Sequence, residues 1–403
     1  MTTRFEFSLQ YPKPLDDSEL SELINVAKSG LFSRYTSDLV LNLESQLGDY
    51  YGTKHAVTCT SGTAALHGCL VALDLEPGSE VVMTSIADIG IVLPVIYENL
   101  IPVFADVDPE TFNVGVEQVK ACITPKTSAV IAVHLAGNPC DLTGLRQLCD
   151  EQGVALIEDF SQAHGAMWGD KKIGSIGDMA YGSFQQSKQI TCGEGGVILT
   201  NDPELARRAF IGVDKAWQRD KALNERFYEF LAPNVRFNAL QAAVLIPQLK
   251  RLDQLVQAKR DRAAILYDTI KDAQDVLKAQ KMLSGAKHAY YSFPLYLETE
   301  SLRDELLAVL DKDYDVQCAY GYANPKPLYQ CVNALMNPKK YGRDLKYSSR
   351  QYPQGTCPEA EALLKRSFLL PFNENFSLAE TQEIGDRLIK ALSKVFSKVS
   401  NVL

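Results

Sequence analysis

Short apolar runs alternate with amphipathic stretches between His55 and about Thr200. Several of these runs are apolar almost throughout, which is typical of strands covered on both faces in a mainly parallel sheet. Helix signals separate them: Asp141 is a predicted N-cap for the helix Leu142–Gln152, and Gly153 is its predicted stop. The pattern predicts a layered α/β domain with a seven-stranded sheet. The predicted strands are His55–Cys59, Val81–Thr84, Pro102–Val107, Ala129–Leu135, Val154–Phe160, Ala180–Phe184 and Val197–Thr200.

The pattern changes towards the C-terminal part of the chain. Residues 237–270 have helical spacing, and after about residue 275 short predicted elements follow one another. They are a strand at Ala289–Leu297, a helix at Leu302–Leu310, a strand at Asp315–Tyr320, a long excursion at 321–358 and a last helix that opens with a capping box at Ser377 and Glu380. We therefore predict a large α/β domain over residues 1–250 and a small α+β domain over residues 251–403.

Composition and charge narrow the classes of protein. The 403 residues are 46% hydrophobic and 23% charged, as in ordinary globular proteins. The net charge of −9 disfavours nucleic acid or an anionic membrane as the main partner. No apolar run approaches the roughly 20 residues of a membrane span, and the first residues lack the apolar stretch of a signal peptide. The nine cysteines include no CxxC pair, so we expect reduced thiols, no metal site and a cytoplasmic protein.

Two segments that follow predicted strands are candidates for binding chemistry. In the first, Ser61, Gly62 and Thr63 open a helix, where small residues let backbone N–H groups approach an anion. An ordinary N-cap explains this segment equally well. In the second, Asp159 ends an apolar strand, where a carboxylate could keep a pyridine nitrogen protonated. The alternative is a carboxylate that caps the following turn, which stays open for Glu158.

Two further segments carry a lysine and an Asn-Arg pair. Lys188 stands among small and amide side chains between a strand end and a glycine-rich turn, where a lysine can lose its proton and form a Schiff base. Most lysines are merely solvated, which is the alternative here. Asn234 and Arg236 precede the long helix and could reach a phosphate or a neighbouring subunit, although helix capping by Asn238 is also expected.

Taken in order, these segments resemble the DegT/StrS-type family of sugar aminotransferases. These are pyridoxal-phosphate enzymes of fold type I, with the aspartate aminotransferase architecture. The resemblance extends from about residue 20 to the C-terminus. The segments that carry it are 61–65, 102–108, 133–137, 158–165, 183–188, 193–196 and 234–236.

The resemblance implies roles for individual residues. Lys188 would bind pyridoxal phosphate covalently and move the proton, and Asp159 would pair with the pyridine nitrogen. Gln162 would lie beside the ring near its 3-hydroxyl. The expected phosphate contacts are Gly62, Thr63 and Ser183. Asn234 would enter the partner subunit's site, which implies a homodimer.

One position departs from the family pattern. Where the family usually has an aromatic residue stacked on the cofactor ring, this chain has Asp88. Arg34, His134 and Trp217 are further candidates for substrate contact, although a core position is equally open for His134 and a half-buried aromatic for Trp217.

The motifs around Lys188 and Cys192 look most like the glutamine:scyllo-inosose aminotransferase branch. The expected reaction moves an amino group from L-glutamine or L-glutamate to a keto-cyclitol or keto-sugar, in secondary-metabolite or cell-surface sugar biosynthesis. The first alternative is a pyridoxal-phosphate enzyme that is not a transaminase, such as a dehydratase, a decarboxylase or an oxidative enzyme. A nicotinamide-dependent oxidoreductase is disfavoured because no GxGxxG motif follows a strand, and a non-catalytic scaffold because Lys188 and Asp159 are both present.

Overall fold

The computed structural model describes residues 3–219, 225–322 and 324–400. A seven-stranded sheet forms the centre of the fold, and each of the seven strands predicted between residues 55 and 200 is confirmed with bounds within two residues of those expected. The strands are β1 His55–Cys59, β2 Glu80–Thr84, β3 Ile101–Ala105, β4 Thr127–Val133, β5 Ala155–Asp159, β6 Met179–Ser183 and β7 Gly196–Thr200.

The spatial order of the strands is β1-β7-β6-β5-β4-β2-β3. All neighbouring pairs are parallel except those of β7, which is antiparallel to β1 and to β6. The sheet is therefore mainly parallel, as predicted. Gly196, the first residue of β7, pairs with Cys59 and with Ser183, the last residues of β1 and β6. Asp159 ends β5 at the same edge of the sheet, which is formed by the carboxyl ends of β1, β5 and β6. The segments that the sequence predicts to bind a ligand therefore follow strands that end at this edge.

Both faces of the sheet are buried, which explains the uninterrupted apolar runs. Val81 and Met83 of β2 belong to one hydrophobic core, and Val82 between them belongs to the other. Helices cover both faces. The helices are α1 Asp17–Ser29, α2 Leu39–Tyr51, α3 Gly62–Leu73, α4 Leu93–Tyr97, α5 Val116–Lys120, α6 Leu142–Gln152, α7 Pro203–Gly212, α8 Ala239–Ile270, α9 Glu300–Tyr314, α10 Leu328–Cys331, α11 Asn333–Met336, α12 Pro338–Tyr341, α13 Pro358–Arg366 and α14 Leu378–Ser400.

A smaller antiparallel sheet, covered by α9 and α14, has a hydrophobic core of its own. Its strands, in spatial order, are Lys278–Ala279, Pro294–Tyr296, Ser367–Leu369 and Ala319–Tyr320. The capping box of α14 is confirmed: the N of Ser377 donates to Glu380, and the N of Glu380 donates to Ser377 Oγ at 3.1 Å. The predicted strand at Ala289–Leu297 is shorter in the structure, and the predicted helix at Leu302–Leu310 is longer on both sides.

Short elements complete the architecture. The excursion at 321–358 contains α10, α11, α12 and a 3₁₀ turn, and other 3₁₀ turns lie at Ile89–Ile91, Leu135–Gly137 and Lys271–Ala273. Two-residue strands pair as Phe5–Glu6 with Val316–Gln317, Trp217–Gln218 with Phe227–Tyr228, and Met167–Trp168 with Lys171–Lys172 and Ala286–Lys287.

The predicted domain boundary at residue 250 falls inside α8, which continues without interruption from Ala239 to Ile270. The division into residues 1–250 and 251–403 therefore stays a prediction. Within the described ranges, no helix combines the length and the apolar character that a bilayer crossing requires.

Candidate active site

The amino end of α3 forms a cradle directly after β1. Ser61 caps the helix, since its Oγ accepts a hydrogen bond from the N of Ala64 at 3.0 Å. Gly62 lies so close to β6 that a Cβ on it would be 2.9 Å from Ser183 Cβ. The first N–H groups of a helix have no partner within the helix and attract anions. The close approach of Gly62 to Ser183 thus joins an anion-binding helix end to a buried hydroxyl.

Thr63 and Asp88 border the same end of α3. A Cβ on Gly90 would lie 2.6 Å from Thr63 Oγ1 and 3.0 Å from Asp88 Oδ1, so the two side chains meet at Gly90. Asp88 is exposed, and its Oδ1 accepts a hydrogen bond from the N of Gly90 at 2.8 Å. A carboxylate that caps a 3₁₀ turn therefore stands at the position where the family usually has an aromatic ring.

Asp159 is a buried carboxylate at the carboxyl end of β5. Its Oδ1 accepts a hydrogen bond from the N of Ser161 at 2.9 Å, and its Oδ2 accepts one from the hydroxyl of Tyr181 at 2.7 Å. Burial and the neighbouring Asp159 raise the pKa of Tyr181 well above its usual range, so this hydroxyl remains a donor. Because a carboxylate oxygen can accept more than one hydrogen bond, Asp159 can also receive a protonated ring nitrogen.

Gln162 is fixed by two donors at the same edge of the sheet. Its Oε1 accepts hydrogen bonds from the N of Ala136 at 2.8 Å and from the hydroxyl of Tyr322 at 2.6 Å. Ala136 has a φ of 61°, a left-handed conformation that turns its N–H towards this group. Tyr322 comes from the small sheet's side of the molecule, so the site joins both halves of the chain.

Lys188 is half-buried in the loop between β6 and β7. Its Nζ lies 4.7 Å from the centre of the Tyr291 ring. The N of Lys188 donates to the O of Gln185 at 2.9 Å, which closes a turn around the lysine. A primary amine is thus positioned beside an aromatic face, five residues after the strand that ends at Ser183.

Arg34 and His134, two of the predicted substrate contacts, lie in the interior. Arg34 is 3% exposed, forms an ion pair with Glu44 at 2.8 Å and stacks on Phe210. His134 is fully buried, with its Nε2 3.4 Å from Glu158. The structure gives both side chains interior partners, so neither is part of the function proposed below.

Trp217 and Asn234 lie in two segments joined by a β-bridge between Asp214 and Asn234. The second segment adjoins the end of β1, because the O of Val235 accepts a hydrogen bond from the N of Thr60 at 3.0 Å. Trp217 is half-buried and packs against the guanidinium of Arg219 at 3.7 Å. Asn234 is exposed. The guanidinium groups of Arg219 and Arg236 both pair with Asp214, which is 1% exposed.

Several residues near Lys188 carry no functional signal in the sequence. Tyr291 and Tyr322 lie in and just after predicted strands, where tyrosine is common and carries no special signal. Lys13 and Glu374, described below, lie far from Lys188 along the chain. Only the fold brings these segments together, and their spacing in the sequence contains no pattern that indicates it.

The residues at this edge fit a cofactor of definite chemistry. The cradle at Gly62, which a Cβ would fill, suits a phosphate. The buried Asp159 suits a basic ring nitrogen, and Lys188 suits a carbonyl group that reacts with an amine. Pyridoxal phosphate carries all three groups.

Comparison with known proteins agrees with this chemistry. The model of the DegT/DnrJ/EryC1/StrS aminotransferase family matches residues 14–389. The chain is 33% identical over 324 residues to the GDP-perosamine synthase of Vibrio cholerae, covering 79% of this chain and 86% of the relative. It is also 33% identical over 344 residues to the L-glutamine:2-deoxy-scyllo-inosose aminotransferase of Streptomyces kanamyceticus, covering 79% and 78%.

The solved structures that superpose on this chain are also aminotransferases. The aminotransferase from Psychrobacter cryohalolentis superposes with a TM-score of 0.85 at 26% identity, covering 95% of this chain and 99% of that one. The pyridoxal-phosphate form of a sugar aminotransferase from Streptococcus pneumoniae shares the fold, with a TM-score of 0.82 at 21% identity and coverage of 96% and 100%. The predicted fold type I architecture, the pyridoxal-phosphate cofactor and the aminotransferase activity are confirmed. The chain belongs to the DegT/DnrJ/EryC1/StrS aminotransferase family.

Proposed function

We propose that this aminotransferase moves an amino group from L-glutamine or L-glutamate to a ketone on a cyclitol or a sugar. The observation that carries the proposal is the convergence of three groups at one edge of the sheet: the Gly62 cradle against Ser183, the buried Asp159 and the amine of Lys188. Since the carboxyl ends of β1, β5 and β6 meet there, these groups can act on one bound molecule.

Each group has a distinct task in the proposed reaction. Gly62, Thr63 and Ser183 bind the phosphate, and Asp159 accepts a hydrogen bond from the ring nitrogen. Gln162 lies beside the ring oxygen. When bound, the cofactor supplies a ring that delocalises the electrons of a broken C–H bond. With the cofactor bound, the amine of Lys188 would move the proton from the donor's α-carbon to the cofactor carbon in the first half-reaction, and from the cofactor carbon to the acceptor carbon in the second.

The finer substrate class rests on three supports. The motifs at 185–188 and 192–194 resemble the glutamine:scyllo-inosose aminotransferase branch. The L-glutamine:2-deoxy-scyllo-inosose aminotransferase is also among the relatives, although a GDP-perosamine synthase matches this chain at the same 33% identity. Arg219 and Arg236 are paired with Asp214, which favours an acceptor without a diphosphate.

We further propose that the catalytic unit is a homodimer, to whose partner site Asn234 belongs. Several exposed apolar side chains lie in the segments near Asn234, and exposed apolar side chains that form a patch are typical of a protein interface. They are Leu31, Phe32, Tyr35, Leu41, Phe227, Tyr228 and Leu231, each at least 40% exposed. The N of Ala239 donates to the O of Phe32, and Tyr35 bonds to Asp214, so these segments lie side by side.

The donor half-reaction is tested by the visible absorbance of the purified holoenzyme. L-Glutamine or L-glutamate, added without acceptor, is expected to remove the visible band, and a keto-cyclitol is expected to restore it. A keto-sugar linked to a nucleotide is the matched competing acceptor, and restoration by that compound alone would contradict the cyclitol assignment. A band that persists with both donors would favour the alternative of a pyridoxal-phosphate enzyme that is not a transaminase.

The shared site is tested by mixing two inactive variants. If Asn234 acts across the interface, Lys188→Ala and Asn234→Asp subunits form mixed dimers with one complete site. Equal mixing after dissociation is then expected to restore about a quarter of the wild-type activity. Absence of any recovery, with mixed dimers present, would place Asn234 in the site of its own subunit.

A further inference from the structure

Three hydrogen bonds, each to a different part of the chain, anchor residues 187–189 of the turn that carries Lys188. One anchor is Tyr291 beside the small sheet, one lies next to the end of β5, and one is a second lysine near the N-terminus. The bonds are Tyr291 Oη to Ser187 Oγ at 2.8 Å, Gln189 Nε2 to the O of Gln162 at 2.7 Å, and Lys13 Nζ to the O of Lys188. Of these three, the bond from Lys13 is the one made by a charged group, and it acts on the reactive residue itself.

The N-terminal segment reaches this turn across the molecule. Phe5–Glu6 pairs with the strand Val316–Gln317, and farther along the O of Tyr11 accepts a hydrogen bond from Gln186 Nε2 at 3.2 Å. The side chain of Lys13 is only 13% exposed. Contacts with the protein, rather than with solvent, therefore surround most of the Lys13 side chain.

A buried carboxylate holds Lys13 in place. Glu374 Oε1 lies 3.5 Å from Lys13 Nζ, and Glu374 Oε2 lies 3.2 Å from the Nζ of a second buried lysine, Lys259. The hydroxyl of Tyr11 also donates to Glu374. Both lysines thus share one carboxylate, and of the two, Lys13 is the one that also bonds to Lys188.

We propose that Lys13 is a positioning residue for Lys188: its ammonium, held by Glu374, binds the carbonyl oxygen of Lys188 and fixes the backbone of the reactive lysine. The inference rests on the proposed role of Lys188. The side chain of Lys188 must leave the cofactor and return to it in every cycle, so its Cα must stay in place while the side chain is free. A displacement of about 1 Å in a reacting group can cost about 100-fold in rate.

The test measures how fast pyridoxal phosphate attaches to the cofactor-free protein, from the growth of the visible band in a stopped-flow instrument. Lys13→Met keeps the length of the side chain and removes the charge, and it is expected to slow attachment at least about tenfold. Lys259→Met is the matched control, because it removes a cation from Glu374 without touching Lys188, and it is expected to attach within about threefold of the wild-type rate. Lys13→Arg, which retains the charge, is expected to recover most of the loss.

Steady-state kinetics provide a second measurement, which distinguishes a positioning role of Lys13 from a general loss of stability. In Lys13→Met, kcat is expected to fall by a similar factor, while KM for the acceptor stays within about twofold, because no substrate contact is removed. If Lys13→Met and Lys259→Met slow attachment equally, or if Lys13→Met attaches at the wild-type rate, the positioning role is wrong. Should Lys13→Met fail to fold, Lys13→Gln is compared with Lys259→Met on the same criteria.

Lys188→Ala separates this inference from the proposed function. A visible band that still forms in Lys188→Ala would overturn the role of Lys188 and with it the role of Lys13. If Lys188→Ala forms no such band and Lys13→Met attaches normally, the proposed function stands and the positioning role alone fails.

Discussion

Glu374 offers the sharpest test of how the segments around Lys188 are held together. Its carboxylate lies within ion-pair distance of Lys13 and Lys259 and accepts the hydroxyl of Tyr11, while only 10% of its side chain is exposed. Glu374→Gln keeps the size of the side chain and removes its charge. Lys259, whose side chain is 2% exposed, would then be buried without its counter-charge.

The magnitude follows from the perturbed ionisation of Glu374. Burial favours the neutral acid, but the charges of Lys259 and Lys13 and the Tyr11 hydroxyl outweigh it, so that the pKa falls from 4.5 to about 2. A pKa lowered by this amount corresponds to about 3 kcal/mol of stability at neutral pH. Removing one partner of a buried ion pair costs about 3–5 kcal/mol, which is consistent with that value.

The direction in which the stabilisation by Glu374 changes with pH also follows from its lowered pKa. Because the folded-state pKa of Glu374 lies below that of the unfolded chain, its stabilisation is complete above pH 4.5 and is lost as the pH falls towards 2. The difference in unfolding free energy between wild type and Glu374→Gln is therefore expected to be constant between about pH 5 and 6, below the range in which Lys13, whose pKa is lowered by burial to about 8, loses its proton. It is expected to shrink once the pH falls below about 4.5.

Urea unfolding at pH 7, followed by circular dichroism, measures the effect. Glu374→Gln is expected to lose about 3 kcal/mol. Glu204→Gln is the matched control, because it makes the same change in an exposed pair with Arg207 and is expected to lose less than about 1 kcal/mol. A loss of no more than about 0.5 kcal/mol in Glu374→Gln, the range of ordinary surface substitutions, would refute the reasoning.

Three further outcomes are expected. Gly62→Ala places a Cβ 2.9 Å from Ser183 Cβ and is expected to weaken binding of pyridoxal phosphate at least about tenfold, measured by titration of the cofactor-free protein; unchanged affinity would contradict the cradle. Tyr181→Phe removes a 2.7 Å hydrogen bond to Asp159 and is expected to lose about 1–3 kcal/mol in urea unfolding, whereas no loss would show that the carboxylate needs no such donor. His164, whose pKa is lowered by burial to about 4, is expected to stay neutral from pH 5 to 8, so a shift of its ring NMR signals in that range would disprove this.

The strands of the sheet could be predicted one by one because burial on both faces requires a continuous run of apolar residues in the sequence. Every residue of Ile101–Ala105 is buried, and the corresponding run in the sequence is apolar from end to end. The direction of the strand Gly196–Thr200 cannot be predicted in this way. An apolar run has the same pattern in either direction, so only the structure shows that this strand is antiparallel to its neighbours.

The same distinction holds for the site. Asp159 and Lys188 could be predicted from the sequence because Asp159 ends one apolar strand and Lys188 lies five residues after another. In both cases the reactive side chain and the strand that positions it lie in one stretch of sequence. Arg34 is only a candidate for substrate contact on the sequence alone, and in the structure it is buried beside Glu44. Its carboxylate partner, Glu44, lies in α2, and nothing in the loop itself indicates that the pair is buried.

The groups that sequence reasoning missed are those that act on Lys188 from a distance along the chain. Lys13 and Glu374 are separated by most of the sequence, yet they form an ion pair, and Lys13 donates a hydrogen bond to the carbonyl oxygen of Lys188. In the proposed function, the residues that bind the cofactor come from the first half of the chain, whereas the carbonyl oxygen of Lys188 is bound by Lys13 near one end of the chain and Lys13 is held by Glu374 near the other. A change in either end is therefore expected to alter the rate at which Lys188 attaches before it alters the affinity for phosphate, and Gly62→Ala is expected to do the reverse.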